Sequence, residues 1–201
     1  MPHYATLSFD DGTPHDRMVA EMLREVRVPA TFYITIKNVK FWHTNAQGLQ
    51  AAYKGHEIGA HTMTHVPLNA LSEADCKREI EQSRIILQEY FGASPNCFAY
   101  PYGIVTFDAH KAVREAGFLW GRTADCTGTK LHDRYAIPTD GCLERPTTLQ
   151  RGKPLLHYYG HTWLMANENR FDELRILVIS MLEGGYKFLT NGEFFQEVGK
   201  R

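Results

Sequence analysis

The sequence predicts an α/β chain, a distorted or incomplete (β/α) barrel with about seven parallel strands, and three observations lead there. Short β-rich runs alternate with segments of helical period along most of the chain, the pattern of a parallel sheet covered by helices. The polar clusters fall at the ends of those runs: Asp10-Asp11-Gly12, His61 to His65, Tyr100 to Gly103, Arg122 to Asp125 and Tyr159 to Trp163. In a barrel these loops share one face, the one where chemistry is done. Finally, 201 residues lie near the lower limit of a full eightfold barrel, so an incomplete ring is expected, in a single domain spanning 1–201.

Taken in order, residues 4–9 are an apolar strand that ends at the two aspartates. Residues 14–28 place Met18, Val19, Met22, Leu23 and Val26 at helical spacing, and 30–36, entered through Pro29, are β-rich, completing a strand, helix, strand unit. A short strand at 56–59 follows. Residues 72–91 form the most regular helix, with Cys76, Ile80, Ser83, Leu87 and Phe91 on one stripe, Ser72 and Asp75 as a variant capping box and Gly92 as the stop. A strand at 97–100, a helix at 107–116 ended by Gly117 and a strand at 118–122 come next. The stretch 126–153, rich in Thr, Gly and Pro, reads as a long loop with one short strand near 134–137. A strand at 155–159, a helix at 171–182, a strand at 187–189 and a helix at 191–198 close the chain.

Lys plus Arg number 22 against 23 for Asp plus Glu, so there is no basic field of the kind that holds nucleic acid. No run approaches the ~18 apolar residues of a membrane span, and the first residues leave no room for a leader. A soluble, cytoplasmic protein is the expectation, with its oligomeric state open. Cys76, Cys97, Cys126 and Cys142 contain no C-x-x-C pair, which signals neither a zinc ribbon nor a redox motif and favours buried free thiols. Cys126 and Cys142 bracket a polar loop and could pair in an oxidising compartment.

The chemistry rests on Asp10 and Asp11 with His61 and His65. One carboxylate and two imidazoles four residues apart suit a borderline-soft divalent ion such as zinc and leave a position for water. A second carboxylate beside them adds a general base, which completes the groups needed for metal-assisted hydrolysis. Each half alone has a plainer reading. Asp-Gly after a strand is ordinary turn chemistry, and H-x-x-x-H arises by chance as capping or core histidines. Their coincidence favours a site.

Ser8-Phe9-Asp10-Asp11-Gly12, then Gly55 to His65, then Ala99-Tyr100-Pro101-Tyr102-Gly103 resemble, in order and spacing, the polysaccharide deacetylase family. This is the NodB homology domain, carbohydrate esterase family four, and the resemblance covers about the whole chain. It implies Asp10 as general base and Asp11, His61 and His65 as ligands of a divalent metal, zinc first, with cobalt and nickel as alternatives. It also implies the backbone amide of Tyr102 as an oxyanion donor. The family's third motif begins with an arginine that holds the catalytic aspartate; Ala99 stands at that position here, and Arg122, at the end of the next strand, is the candidate replacement. The family's aspartate-rich fourth motif is missing in its usual form, with Trp120 and Asp125 as weak substitutes. For the histidine of the fifth motif, Leu155-Leu156-His157 matches L-x-H literally, but His161 lies at the strand end and is preferred as the catalytic acid. Tyr102 and Trp163 offer aromatic faces to a sugar ring, and with Arg122 they make up the expected substrate-binding group.

The implied reaction removes acetyl from an N-acetylated carbohydrate or another small acetylated substrate, with O-acetyl ester hydrolysis as a close variant. Two other readings keep the barrel. One is a hydrolase of cyclic or small linear non-peptide C–N bonds. The other is a carbohydrate-binding barrel without chemistry, against which the intact Asp10, Asp11, His61 and His65 argue.

Overall fold

The computed structural model describes residues 3–42, 46–130, 132–145 and 152–198. In chain order these form β1 (His3–Asp11), α1 (Asp16–Glu25), β2 (Thr31–Ile34), α2 (Ile36–Trp42), α3 (Ala46–Ala52), β3 (Glu57–Ala60), α4 (Glu73–Phe91), β4 (Cys97–Ala99), α5 (Phe107–Glu115) and β5 (Trp120–Arg122). There follow β6 (Gly141–Cys142), β7 (Leu155–Gly160), α6 (Thr162–Asn167), α7 (Phe171–Glu183), β8 (Tyr186–Phe188) and α8 (Asn191–Val198). The strands pair in parallel in the order β5-β4-β3-β2-β1-β7-β6.

The two ends of this order meet. Ile137 bridges to Arg122 of β5, with the amides of Thr123 and Ile137 bonding across at 2.9 and 2.8 Å, and a few residues on Gly141 and Cys142 pair with Tyr158 and Tyr159 of β7. An irregular segment thus closes the distorted barrel expected from the sequence. β8 fits where β2 has not yet begun: β1 pairs with β8 from His3 to Ala5 and with β2 only from Ser8 to Asp11, while its other edge holds β7.

β1 is buried on both faces, as a strand inside a helix-covered barrel must be. Ala5, Leu7 and Phe9 belong to the main apolar core beneath the helices. The alternate row, Thr6, Ser8 and Asp10, therefore lines the interior and delivers Asp10 to the C-terminal mouth. At the opposite end α8 plugs the barrel. Phe194 and Phe195 pack with Tyr4, Ile137 and Leu189, and Glu57 Oε2 accepts the Gly192 amide at 2.9 Å, a carboxylate on a helix N-terminus.

The sequence reading placed these elements within a few residues, with three differences. The helix α2 starts at Ile36, which ends the predicted 30–36 strand early, and α3 follows it; both are two turns long, and the β-branched residues of one and Gly48 of the other give no helical stripe. α6 begins directly at the end of β7, where a loop was expected. The strand near 134–137 is a single bridge at Ile137, the paired residues being Gly141 and Cys142. Residues 131 and 146–151 of that long loop lie outside the described residues. Cys76, Cys97 and Cys142 are buried, as expected of small apolar side chains. No helix among the described residues is long and apolar enough to cross a membrane.

Candidate functional site

The strand ends gather the polar clusters at one mouth, and the backbone there is strained. Asp11, Thr62, His65 and Tyr102 all have positive φ, at 83, 68, 63 and 58°, a conformation that non-glycine residues hold only where the surroundings enforce it, and one that clusters at functional sites. Thr35 N and Asn38 Nδ2 hold the Asp11 carbonyl at 3.3 and 3.0 Å. Glu79 of α4 grips the turn between the histidines, accepting from the amides of Met63 and Thr64 at 2.9 and 3.0 Å.

Within this frame Asp11, His61 and His65 bring one ligand atom each to within 4.8 Å of one another. His61 Nδ1 lies 2.7 Å from the Ala99 carbonyl; a carbonyl only accepts, so Nδ1 carries the proton and Nε2 keeps its lone pair. That Nε2 lies 3.8 Å, and His65 Nε2 3.4 Å, from Asp11 Oδ1. The other oxygen, Oδ2, accepts the Trp163 indole N–H at 2.8 Å, which turns Oδ1 toward the imidazoles. Burial, outweighing the nearby carboxylates, holds His61 down to about 4, so it is neutral and able to ligate. One carboxylate oxygen and two imidazole nitrogens with a fixed tautomer fit a divalent ion.

Asp10 is 4% exposed. Burial pushes its carboxyl up, but Arg122 first, then His61 and His161, outweigh it and hold Asp10 below the ordinary value. Arg122 Nη2 donates to both carboxylate oxygens at 2.5 and 2.6 Å, and its guanidinium is flanked by the rings of Tyr33 and Tyr159, each centroid 4.9 Å away. The expectation that Arg122 faces substrate is corrected by its 1% exposure: it lies sealed beneath Asp10. Ala99 and Arg122 are register partners across β4 and β5. Gly59, where a Cβ would stand 2.3 Å from the Tyr33 ring, gives that ring the place from which it flanks the guanidinium.

His161 ends β7 and caps α6 in extended conformation. Its side chain is 24% exposed, whereas His157 is fully buried, 2.6 Å from Thr6 Oγ1 and stacked on Phe194. Only His161 therefore reaches the mouth. Its partner is a residue that sequence reasoning missed: Glu144 Oε1 accepts the His161 backbone N–H and lies 3.3 Å from Nδ1. Burial disfavours the imidazolium, but the hydrogen bond to Glu144 and the charges of Asp10, Glu144 and Asp11 override it and raise His161 to about 9. Gly160 makes the contact possible, since a Cβ there would stand 2.9 Å from Glu144 Oε1.

The proposed substitutes for the missing fourth motif do not reach His161. Trp120 packs against Phe195 in the cluster that plugs the barrel, and Asp125 is exposed with its carbonyl turned to Thr139. A second unforeseen residue, Asp16, is buried and accepts from Thr162 Oγ1 at 2.6 Å and Tyr53 OH at 2.8 Å, tying the loop after Asp11 to the start of α6. Burial pushes Asp16 up to about 7. Tyr102 is 62% exposed, its ring 4.8 Å from that of His65, and half-buried Trp163 is tied to Asp11 by its indole N–H.

Comparison with known proteins places this arrangement. The family described as polysaccharide deacetylase matches residues 2–120, a stretch that includes Asp10, Asp11, His61, His65 and Tyr102 and ends before Arg122, Glu144 and His161. The chitooligosaccharide deacetylase of Sinorhizobium fredii (strain NBRC 101917 / NGR234) is 36% identical over 117 residues, covering 55% of this chain and 52% of the relative. Chitin deacetylase 1 of Cryptococcus neoformans var. grubii is 30% identical over 132 residues, covering 63% of this chain and 27% of the relative. The chain thus spans about half the length, or less, of these curated relatives. Among solved structures, the Xyl-CE4 domain of a multidomain xylanase from the hindgut metagenome of Trinervitermes trinervoides superposes with a TM-score of 0.74 at 17% identity, covering 99% of this chain and 92% of that one. The fold therefore extends through the C-terminal part that the family match does not reach.

Proposed function

Because this chain belongs to the polysaccharide deacetylase family, we propose that it is a metal-dependent hydrolase removing acetyl from an N-acetylated carbohydrate, with zinc in the Asp11–His61–His65 cluster. The observation that carries the proposal is the ionised Asp10, buried yet held by Arg122, standing beside those three ligands. The named relatives, a chitooligosaccharide and a chitin deacetylase, support an N-acetylated sugar as the substrate.

Held by Asp11, His61 and His65, the ion would polarise the acyl oxygen and acidify the attacking water. Asp10 takes the proton of that water as it adds to the acetamide carbon; its low pKa keeps it ready, and Arg122 fixes which way its oxygens face. The Tyr102 amide is offered to the oxyanion that develops. His161, protonated over the neutral range, gives its proton to the departing nitrogen as the C–N bond breaks, releasing acetate and the free amine. Trp163 keeps Asp11 turned toward the histidines.

Two results test this. After zinc loading and gel filtration the wild type should carry about one ion per chain, and His61→Ala should carry none; equal zinc in both would refute the ligand set. Glu144→Gln should move the alkaline limb of the pH–rate profile to lower pH. The sign follows from the acid role: activity needs protonated His161 and falls as pH rises through its pKa, and removing Glu144 lowers that pKa from about 9 toward the ordinary 6.5. The same shift means that the Glu144–His161 pair stabilises the fold fully below about 6.5 and loses its contribution as pH rises through about 9. An unmoved alkaline limb would remove His161 from the acid role.

A further inference from the structure

We propose that Asp16 is a positioning residue: through Thr162 it fixes His161 and Trp163, and through Thr13 it fixes the loop after Asp11, so that the acid and the metal-ligand cluster keep one relative placement. This rests on the deacetylase reading above, in which Asp16 itself touches no reacting atom. Asp16 opens α1, where an acidic residue ordinarily faces water beside the helix N-terminus. Here it is 1% exposed. A carboxylate buried so completely is unfavourable unless hydrogen bonds offset the loss of water, and those it makes lead to the site.

Oδ1 accepts the Thr162 hydroxyl at 2.6 Å and Oδ2 the Tyr53 hydroxyl at 2.8 Å, so both oxygens are engaged and the carboxyl group is held against rotation. Tyr53 is the anchor. It is 3% exposed and belongs to the main core, with its ring 5.0 Å from that of Phe32 and 6.0 Å from that of Phe91. Thr162, fully buried, is the first residue of α6. Its two neighbours in the chain are His161, which reaches the mouth, and Trp163, which donates to Asp11 Oδ2 at 2.8 Å. Fixing the Thr162 side chain therefore fixes the backbone that carries both. The other branch runs to Thr13, whose Oγ1 lies 3.0 Å from Thr162 Oγ1 and whose carbonyl accepts the Asp16 amide at 3.0 Å. Only Gly12 separates Thr13 from Asp11, and a Cβ there would stand 2.5 Å from Ile34 Cγ2, so the link has little slack. The clamp does not depend on charge: a neutral carboxyl would donate to one hydroxyl and accept from the other, and Thr162 could then turn its own proton to Thr13.

The test measures zinc affinity by competition with a chromophoric chelator, acetate release from an N-acetylated oligosaccharide, and thermal melting. It uses the full chain and the variants Thr162→Val, Thr162→Ser, Asp16→Ala and Asp16→Asn, with binding and kinetics taken well below each melting temperature. Thr162→Val keeps the shape of the side chain and removes its hydroxyl. It should weaken zinc binding by about tenfold, the lower end of what outer partners of metal ligands contribute, and lower kcat by about five- to tenfold with KM nearly unchanged. Thr162→Ser should restore both. Asp16→Ala should match Thr162→Val, and the double variant should be little worse than either. Asp16→Asn, whose amide accepts from one hydroxyl and donates to the other, should stay within about threefold of wild type. Lowered melting temperatures with zinc affinity and kcat unchanged would overturn the proposal, leaving Asp16 a purely structural group. Equal losses in Thr162→Ser and Thr162→Val, or full additivity in the double variant, would overturn it also. If wild type releases no acetate while zinc affinity follows this pattern, the positioning stands and the hydrolytic reading falls.

Discussion

Asp10→Asn should still fold, though with lowered stability because buried Arg122 loses its counter-charge, and lower turnover by about 10²- to 10⁴-fold, the range a positioned base contributes. The amide is isosteric with the carboxylate and can still accept from Arg122, so circular dichroism and zinc content should match the wild type while acetate release collapses. What it cannot do is take a proton. The effect should be confined to kcat, since Asp10 is 4% exposed and contributes little to holding the ground-state substrate. A variant that keeps more than about a tenth of wild-type turnover would show that the proton goes elsewhere.

Arg122→Ala should damage both stability and chemistry. It leaves the Asp10 carboxylate buried without its main counter-charge, and removing one member of a buried pair costs about 3–5 kcal/mol. Burial then dominates, and Asp10's pKa rises from its depressed value. Since the base works deprotonated, the acid limb of the pH–rate profile should move to higher pH. The same linkage governs stability: with a depressed pKa the pair contributes above the unfolded carboxyl value and loses that contribution as pH falls through the folded one, so the variant should lose most of its extra stability near neutrality. Register gives a sharper form. Ala99 and Arg122 are direct partners on the inner face, about 4.8 Å apart as neighbouring strands are. An arginine placed at 99 in the Arg122→Ala background should therefore recover part of the turnover and return the acid limb toward lower pH. No recovery would mean that Arg122 serves the barrel interior, through Tyr33 and Tyr159, more than it serves Asp10.

The barrel and the Asp11–His61–His65 cluster were legible because their signals are local. Strand ends carry contiguous motifs, and His61 and His65 sit on one short turn with Asp11 a single motif away. The compensating residues were harder to see because they answer to geometry across strands. Arg122 could be guessed as the nearest cationic strand end, but its sealed position under Asp10, between the rings of Tyr33 and Tyr159, depends on packing across strands that no sequence pattern announces. Glu144 was invisible: it lies in a poorly periodic stretch, 17 residues before its partner, and reaches His161 only because the irregular segment closes the barrel against β7. Asp16 resembled an ordinary first-turn acid of α1, and only the packing of Tyr53 and Thr162 over it reveals a buried clamp. Trp163 read as a sugar-stacking ring, while its indole N–H is committed to Asp11.

The most direct test of the central claim is acetate release from an N-acetylated oligosaccharide by the zinc-loaded chain, after chelation, and after zinc is returned, with free amine measured in parallel. Acetate and amine produced in equal amounts, abolished by chelation and restored by zinc, is the predicted result. Zinc bound by the cluster without acetate from any acetylated sugar or ester would contradict it, leaving a metal-holding barrel of this family with another task.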